Sequence, residues 1–125
     1  MLKRVDHIEM GVDDVEKEIA FFQSLGMELI SKTGEAPKIS AQLKLPGENQ
    51  VIFKIWLTKP DRRPGVDHIS FELTDGPETR AAMKEQGIVF KDEGKYVAKY
   101  GHEVSNLTDP NGNKWQFTEF VEKHE

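Results

Sequence analysis

Two of the four histidines in this 125-residue chain lie in the same tetrapeptide, Val-Asp-His-Ile, once at His7 and again at His68. Neutral imidazole is the commonest metal-binding side chain, and two histidines at equivalent positions of a repeat can bind one ion. The chain has no cysteine, which excludes thiolate metal sites, disulfides and cysteine nucleophiles. The repeated histidines therefore predict a metal site built from imidazole, carboxylate or amide groups. The alternative is a pair of hydrogen-bonded strand histidines that a duplication has copied.

The similarity around the two histidines extends well beyond the tetrapeptide. Residues 5–29 align without a gap to residues 66–90, and the matched pairs include Asp14 with Asp75, Ala20 with Ala81, and Gly26 with Gly87. Each copy begins with alternating apolar and polar residues, which predicts a half-buried strand with the histidine on its polar face. An acidic helix start and a glycine at the helix end follow in both copies. Each copy therefore predicts a strand followed by a helix.

Three further strands are predicted behind each helix. In the first half they are 27–33, 38–45 and 50–58, and in the second half 88–92, 103–108 and 114–120. Residues 59–65 contain two prolines and a glycine, which interrupt regular structure. We therefore predict a single domain in which this segment connects a module at 1–58 with a module at 66–125, each with the order β-α-β-β-β.

Composition sets limits on the partners. The formal charge of −5 and the isoelectric point near 5.4 disfavour nucleic acid, whose phosphates need a basic surface. The sequence contains neither the apolar run of a signal peptide nor a stretch long enough to span a membrane. It predicts a cytoplasmic protein that acts on a small molecule.

The repeated units and the turn Asp109-Pro110-Asn111-Gly112 before the last strand resemble the vicinal oxygen chelate superfamily. This group includes glyoxalase I, bleomycin-resistance proteins and extradiol dioxygenases. The resemblance implies an α+β fold in which the two modules form a cup-shaped, eight-stranded mixed sheet with helices outside. It also implies a homodimer and a divalent metal ion (Zn, Ni, Mn, Fe or Co) in the cup, often shared between two chains.

The resemblance makes His7 and His68 metal ligands, and it leaves the third ligand open. The family's glutamate on the last strand falls seven residues after Asp109, where this chain has Gln116. Glu119 is the nearby carboxylate, but strand alternation places it on the face of Trp115 and Phe117, unless a bulge reverses the order. Gln116 and Glu9 are therefore the preferred candidates for the third ligand.

Other side chains share the cup-facing alternation. Glu9 and Glu72 are predicted as a general base or as ligands, although acidic strand residues are usually solvated. The predicted substrate contacts are Lys54, Trp56, Asn106 and Thr118, with Ser40 and Gln42 as weaker candidates. Lys54 stands where four-ligand family members have a carboxylate or amide, and a protonated lysine cannot act as a ligand. The remaining histidines, His102 and His124, are predicted to lie on the surface.

Two functional classes remain. In the first, the chain is a metal-dependent enzyme of the lyase, isomerase or dioxygenase type, in which the ion polarises adjacent substrate oxygens. In the second, it sequesters a small molecule without a metal, as bleomycin-resistance proteins do. The retained histidines favour the enzyme, whereas the missing carboxylate ligands favour the binding protein.

Overall fold

Eight strands and two helices make up the part of the chain that the computed structural model describes, residues 1–120. The bounds are β1 Leu2–Val12, α1 Val15–Ser24, β2 Glu28–Thr33, β3 Ser40–Lys44, β4 Ile52–Leu57, β5 Gly65–Leu73, α2 Gly76–Glu85, β6 Asp92–Val97, β7 His102–Thr108 and β8 Lys114–Phe120. His124, which we predict to lie on the surface, is outside the described residues.

The chain divides into two compact units. The first unit is His7–Asp67, and the second is Met1–Asp6 together with His68–Glu125. Strand β1 therefore contributes its first residues to the second unit and the rest to the first. In the second unit the carbonyl of Met1 accepts a hydrogen bond of 3.1 Å from the amide of Thr74, just beyond the end of β5.

The first unit packs α1 against its sheet. Its strands are ordered β2-β3-β4-β1, with β4 parallel to β1 and β3 antiparallel to both β2 and β4. Val15 and Ile19 of α1 are buried in a cluster with Leu43 and Ile55 of the strands. Because strand side chains alternate between the two faces, this cluster fixes which strand residues lie on the face opposite the helix.

The second unit repeats this arrangement. Strands β5, β8, β7 and β6 follow in that order, with β5 parallel to β8 and the remaining pairs antiparallel. Aromatic contacts occupy the face of the sheet toward α2: Phe71 stacks on Trp115 at 5.6 Å, and Phe90 meets Phe117 edge-on at 6.0 Å.

The helix ends follow the predicted pattern with one exception. Asp14 caps α1, and its carboxylate accepts a hydrogen bond of 3.1 Å from the amide of Lys17. Gly26 and Gly87 adopt φ values of 94° and 92° beyond their helices, a conformation that glycine tolerates best. Asp75 differs from the prediction, because its backbone is left-handed and its side chain makes no capping hydrogen bond. The helix begins at Gly76, and Pro77 follows in its first turn, where the fixed φ of proline suits a helix.

The strand predicted at 88–92 is wrong. The apolar residues Ile88, Val89 and Phe90 form an irregular segment, and β6 begins only at Asp92. The amide of Ile88 donates a hydrogen bond of 3.1 Å to the carbonyl of Met83, which completes the end of α2. This short apolar run therefore serves the helix end and the aromatic packing, and not a sheet.

The predicted α+β class, with two β-α-β-β-β modules and an eight-stranded mixed sheet, is confirmed. Neither helix among residues 1–120 is long and apolar enough to cross a membrane.

Candidate functional site

His7 lies on the face of the first unit opposite α1. Met10 and Val12 of the same strand belong to the packed core, so alternation places His7, Glu9 and Gly11 on the other face. We call this surface the histidine face of the first unit. His7 is 2% exposed, so its imidazole is almost completely shielded from solvent.

Strand β4 adds two of the predicted substrate contacts to this face. The parallel register pairs Glu9 with Lys54 and Gly11 with Trp56. Phe53, Ile55 and Leu57 pack in the core, so Lys54 and Trp56 lie on the histidine face. Lys54 is 9% exposed, an unusual burial for a lysine.

A glycine makes room for the tryptophan. A Cβ atom at Gly11 would lie 3.0 Å from Cζ3 of Trp56 and would also clash with the methyl group of Thr58. The indole of Trp56 therefore lies across the backbone of β1. A glycine inside a strand often marks such a close approach, and this signal was available in the sequence.

The second unit has an equivalent histidine face, formed by His68, Ser70 and Glu72 of β5. The register of β5 with β8 pairs Ser70 with Gln116 and Glu72 with Thr118. Phe71 stacks on Trp115 on the opposite face, so Gln116 and Thr118 share the face of His68. Sequence alternation predicts the same placement.

Two hydrogen-bonded pairs organise this second face. The side-chain amide of Gln116 donates through Nε2 to Oδ1 of Asn106 at 3.1 Å, which leaves Oε1 as the oxygen that can bind a ligand. The hydroxyls of Ser70 and Thr118 are 2.6 Å apart, and both residues are fully buried. Thr118, predicted as a substrate contact, therefore satisfies its hydroxyl within the protein.

Glu119 lies on the helix face of the second unit, away from the histidine face. Its carboxylate forms an ion pair with Arg80 of α2 and lies against Gly76, where a Cβ atom would clash with it. Burial lowers the pKa of Arg80, but its hydrogen bonds and charge interactions with Glu119 and Glu93 raise that pKa above its ordinary value. Glu119 therefore links β8 to α2 through this ion pair, and it lies on the opposite face of the sheet from His68.

Glu72 is engaged by cations of the second unit. Its carboxylate lies 3.0 Å from the ammonium of Lys3 and 3.7 Å from the guanidinium of Arg4. The Glu72 side chain is 14% exposed, whereas Lys3 reaches solvent. These ion pairs support a structural role for this carboxylate beside its predicted catalytic one.

His102 is buried, contrary to the prediction that it lies on the surface. It is the first residue of β7, is 3% exposed, and its ring contacts the rings of Tyr100 and Phe120, with centroid distances of 5.4 and 5.6 Å. The sequence around Tyr100 and Gly101 is typical of a loop, and it does not indicate that Phe120 of β8 contacts the histidine.

The predicted turn before β8 is held by one carboxylate. Asp109 accepts hydrogen bonds from the backbone amides of Asn111 and Asn113 at 2.8 and 2.9 Å, and from the indole of Trp115 at 3.0 Å. The hydrogen bonds from Trp115 and Asn113 lower the pKa of Asp109 to about 2. This turn sets where β8 starts, and therefore which face Gln116 occupies.

Comparison with protein families identifies the group. Residues 4–117 match the model of the glyoxalase/bleomycin resistance protein/dioxygenase superfamily. The chain belongs to this superfamily. The resemblance inferred from the repeat and the turn is thereby confirmed. No curated protein matches the chain.

Solved structures of the same fold share little sequence with this superfamily member. A Streptomyces coelicolor methylmalonyl-CoA epimerase variant bound to 2-nitronate-propionyl-CoA superposes with a TM-score of 0.76 at 19% identity, covering 97% of this chain and 99% of the other. The Mycobacterium tuberculosis methylmalonyl-CoA epimerase gives the same score and identity over 96% and 89%. A hypothetical protein from Bacillus halodurans gives 0.74 at 21% identity over 98% and 97%. At these identities the likeness establishes the fold.

Proposed function

We propose that this protein is a divalent-metal-dependent enzyme acting on a small molecule, with the ion bound by His7 and His68. The observation that carries the proposal is the placement of the two repeated histidines, each on the face of its unit opposite the helix. We infer that the imidazoles of His7 and His68, together with the carboxylate of Glu9, are the side chains that hold the ion. Membership of a superfamily that contains dioxygenases and glyoxalases supports the same conclusion.

The available donors fit a borderline divalent ion. Two neutral imidazoles, a carboxylate from Glu9 and an amide oxygen from Gln116 suit Zn, Ni, Mn, Fe or Co, and this donor set does not choose among them. Gln116 is suited to the task because Asn106 holds its amide nitrogen and orients its oxygen. Glu9 acts either as the carboxylate ligand or as the general base beside the ion.

The bound ion supplies a Lewis acid that polarises adjacent oxygens of the substrate. Around it, Glu9 and Glu72 are the proposed proton-transfer groups, and Lys54, Trp56 and Asn106 the proposed substrate contacts. The reaction is of the lyase, isomerase or dioxygenase type. Similarity to methylmalonyl-CoA epimerases makes an isomerisation the first activity to assay.

Metal analysis of a histidine-free site tests the proposal. Wild-type protein and the His7→Ala, His68→Ala double variant are stripped, reconstituted with Zn or Mn, and analysed for bound metal. We expect wild type to retain the ion and the double variant to lose it, while His124→Ala, a matched histidine control in the C-terminal tail, behaves as wild type. Equal metal in all three, or none in any, contradicts the proposal and favours the sequestering class. Circular dichroism confirms that each variant is folded.

A homodimer is part of the proposal. A short superfamily member with one pair of modules is expected to dimerise, and the exposed apolar residues Phe21, Leu25, Leu29 and Ile30 on α1, its end and β2 are consistent with a covered surface. Light scattering at micromolar concentration should give twice the chain mass of 14.3 kDa. A monomer under these conditions contradicts this part of the proposal.

We also propose a cytoplasmic location. The acidic composition supports it. Cell fractionation tests it, and recovery of the protein in the membrane or secreted fraction contradicts it.

A further inference from the structure

A cavity opens in the second unit where β6 and β7 stop pairing. The ladder between these strands ends at Asp92 and Asn106, and the amide of Lys91 donates one more hydrogen bond of 2.7 Å to the carbonyl of Asn106. Beyond this point the two segments separate, and residues 87–91 and 107–110 together line a cavity of about 760 Å³. Pockets that bind small organic molecules have volumes of roughly 300–1,000 Å³, so this cavity is large enough for one.

The cavity exists because the two repeats differ after their helices. In the first unit β2 begins at Glu28, which pairs with Lys44 at the end of β3. The aligned position in the second repeat is Val89, where the chain is irregular, and β6 starts only at Asp92. Residues 88–90 therefore do not pair with β7 as the start of β2 pairs with β3, and this difference opens the cavity.

The wall of the cavity is largely apolar. Ile88, Phe90 and Leu107 line it, and Phe90 packs edge-on against Phe117 on the face of the sheet toward α2. Val89 also lines the cavity and is 82% exposed, so apolar surface is open to solvent here. A ligand with an apolar body would remove this surface from water, which is favourable.

A single basic side chain belongs to the lining of this cavity. Lys91 is exposed, and no carboxylate among residues 1–120 forms an ion pair with it. The acidic residue of the lining, Asp109, accepts hydrogen bonds from Asn113 and Trp115 within its own turn, so its charge is compensated locally. The ammonium of Lys91 is therefore available to a ligand anion, with which it can form a charge-assisted hydrogen bond.

We propose that this cavity binds small amphipathic carboxylates, whose aliphatic body covers the apolar wall and whose carboxylate binds the ammonium of Lys91. The contact of Phe90 with Phe117 places the apolar wall on the side of the sheet opposite the histidine face of the second unit. Binding there needs no metal ion, so the site stands or falls independently of the proposed metal-dependent function.

Octanoate and octanamide are matched probes for this site, because they have the same chain and differ in charge. Each is titrated into the isotope-labelled full chain, and the backbone amide signals are followed by NMR. We expect octanoate to shift the signals of Val89, Phe90 and Leu107 saturably, and to leave Ser70 and Gln116 of the histidine face unaffected. Shifts confined to Ser70 and Gln116, or none at all, overturn the proposal. Shifts of the cavity signals on diluting the protein alone would show that a second copy covers the cavity, which also overturns it.

Removing the charge of Lys91 tests its role. Wild type should bind octanoate more tightly than octanamide, and in Lys91→Met we expect this preference to fall about fivefold. In the control Lys17→Met, which removes an exposed lysine of α1, the preference should stay at the wild-type value.

A second pair of variants guards against a folding defect. Val89→Glu introduces the residue found at the aligned position of the first repeat, and the exposure of Val89 means that the fold should tolerate the change. The added carboxylate repels octanoate, so we expect an affinity at least about threefold lower than in the neutral variant Val89→Gln. Equal octanoate affinity in these two variants, or an unchanged preference in Lys91→Met, contradicts the proposal.

Discussion

The Glu119 carboxylate of β8 forms an ion pair with the Arg80 guanidinium of α2, and the side chains are only 7% and 11% exposed. Replacing Glu119 by glutamine removes one carboxylate partner of this largely shielded arginine and leaves Glu93, 3.1 Å from Nε of Arg80, as the other. We expect Glu119→Gln to lower the free energy of unfolding by about 2 kcal/mol, the cost of losing a hydrogen bond to a charged group, measured by urea denaturation. Glu78→Gln, at an exposed position of the same helix, should change it by less than about 1 kcal/mol.

The same glutamate should be dispensable for metal binding. Because Glu119 lies on the helix face, we expect Glu119→Gln to leave the dissociation constant of the metal within about twofold of wild type. Calorimetric titration under conditions where the variant is folded measures this. Loss of metal binding in this variant would mean that Glu119 reaches the ion, against its placement beside Arg80.

Replacing Gln116 by glutamate should strengthen metal binding. The change supplies an anionic oxygen at the position of the neutral amide, and the charge of the ion dominates the energetics of such a site. We expect at least about a tenfold lower dissociation constant, roughly 1.4 kcal/mol, by calorimetric titration. An unchanged constant would show that residue 116 does not contact the ion.

Gly11→Ala should displace the indole of Trp56. The added methyl group would lie 3.0 Å from the Trp56 ring, closer than ordinary contact, so the side chain must move or the strand must shift. We expect a loss of stability of about 1–3 kcal/mol and a shift in tryptophan emission. The chain has one other tryptophan, Trp115, so the emission shift should vanish when the same substitution is made in a Trp56→Phe background. A shift that persists there would come from Trp115 and would contradict the close approach.

Asp109→Asn should destabilise the turn before β8 in a pH-dependent way. The pKa of Asp109 is lowered from 3.8 to about 2 in the folded protein, so its contribution to stability is fully present above the unfolded value and is lost as the pH falls toward 2. We therefore expect wild type to melt at a higher temperature than the variant at pH 7, with the difference shrinking between about pH 4 and pH 2. A difference that is independent of pH would mean that ionisation of Asp109 does not stabilise the turn.

The faces of the strands could be predicted from the sequence because alternation leaves little freedom once one side is packed. The apolar residues of β4 and β8 placed Lys54 and Gln116 opposite the helices, and the structure has them there. The duplicated histidine segment likewise fixed the order of strand and helix in both units. These features depend on local periodicity, which a single sequence records well.

Contacts between residues far apart in the sequence were harder to predict. The run Ile88 to Phe90 has the composition of a strand, but its residues complete the end of α2 and pack on Phe117 of β8. His102 was placed on the surface because its neighbours read as a loop, whereas Phe120 covers it. In both cases an aromatic residue of β8 takes part in the packing, and the order of the strands in the sheet brings it there.

The hydrogen bond between Gln116 and Asn106 also depends on how two strands pair. Each residue was a candidate on its own, but their contact depends on the antiparallel register of β7 with β8, which the turn at Asp109 sets. The turn and the two candidate residues could be predicted from the sequence. Their contact could not, because it depends on the register that places Asn106 opposite Gln116.

Strand β1 contributes residues to both compact units, so the chain cannot be cut between its two sequence repeats without separating residues of one unit. A cut in the connector at 59–65 would leave Met1–Asp6 on the fragment that carries the first unit, although these residues belong to the second. The C-terminal fragment would then lack the backbone partner of Thr74 and the cations that neutralise Glu72. We therefore expect that the C-terminal fragment does not fold alone and that it regains native structure only when it is mixed with the N-terminal fragment, by fragment complementation.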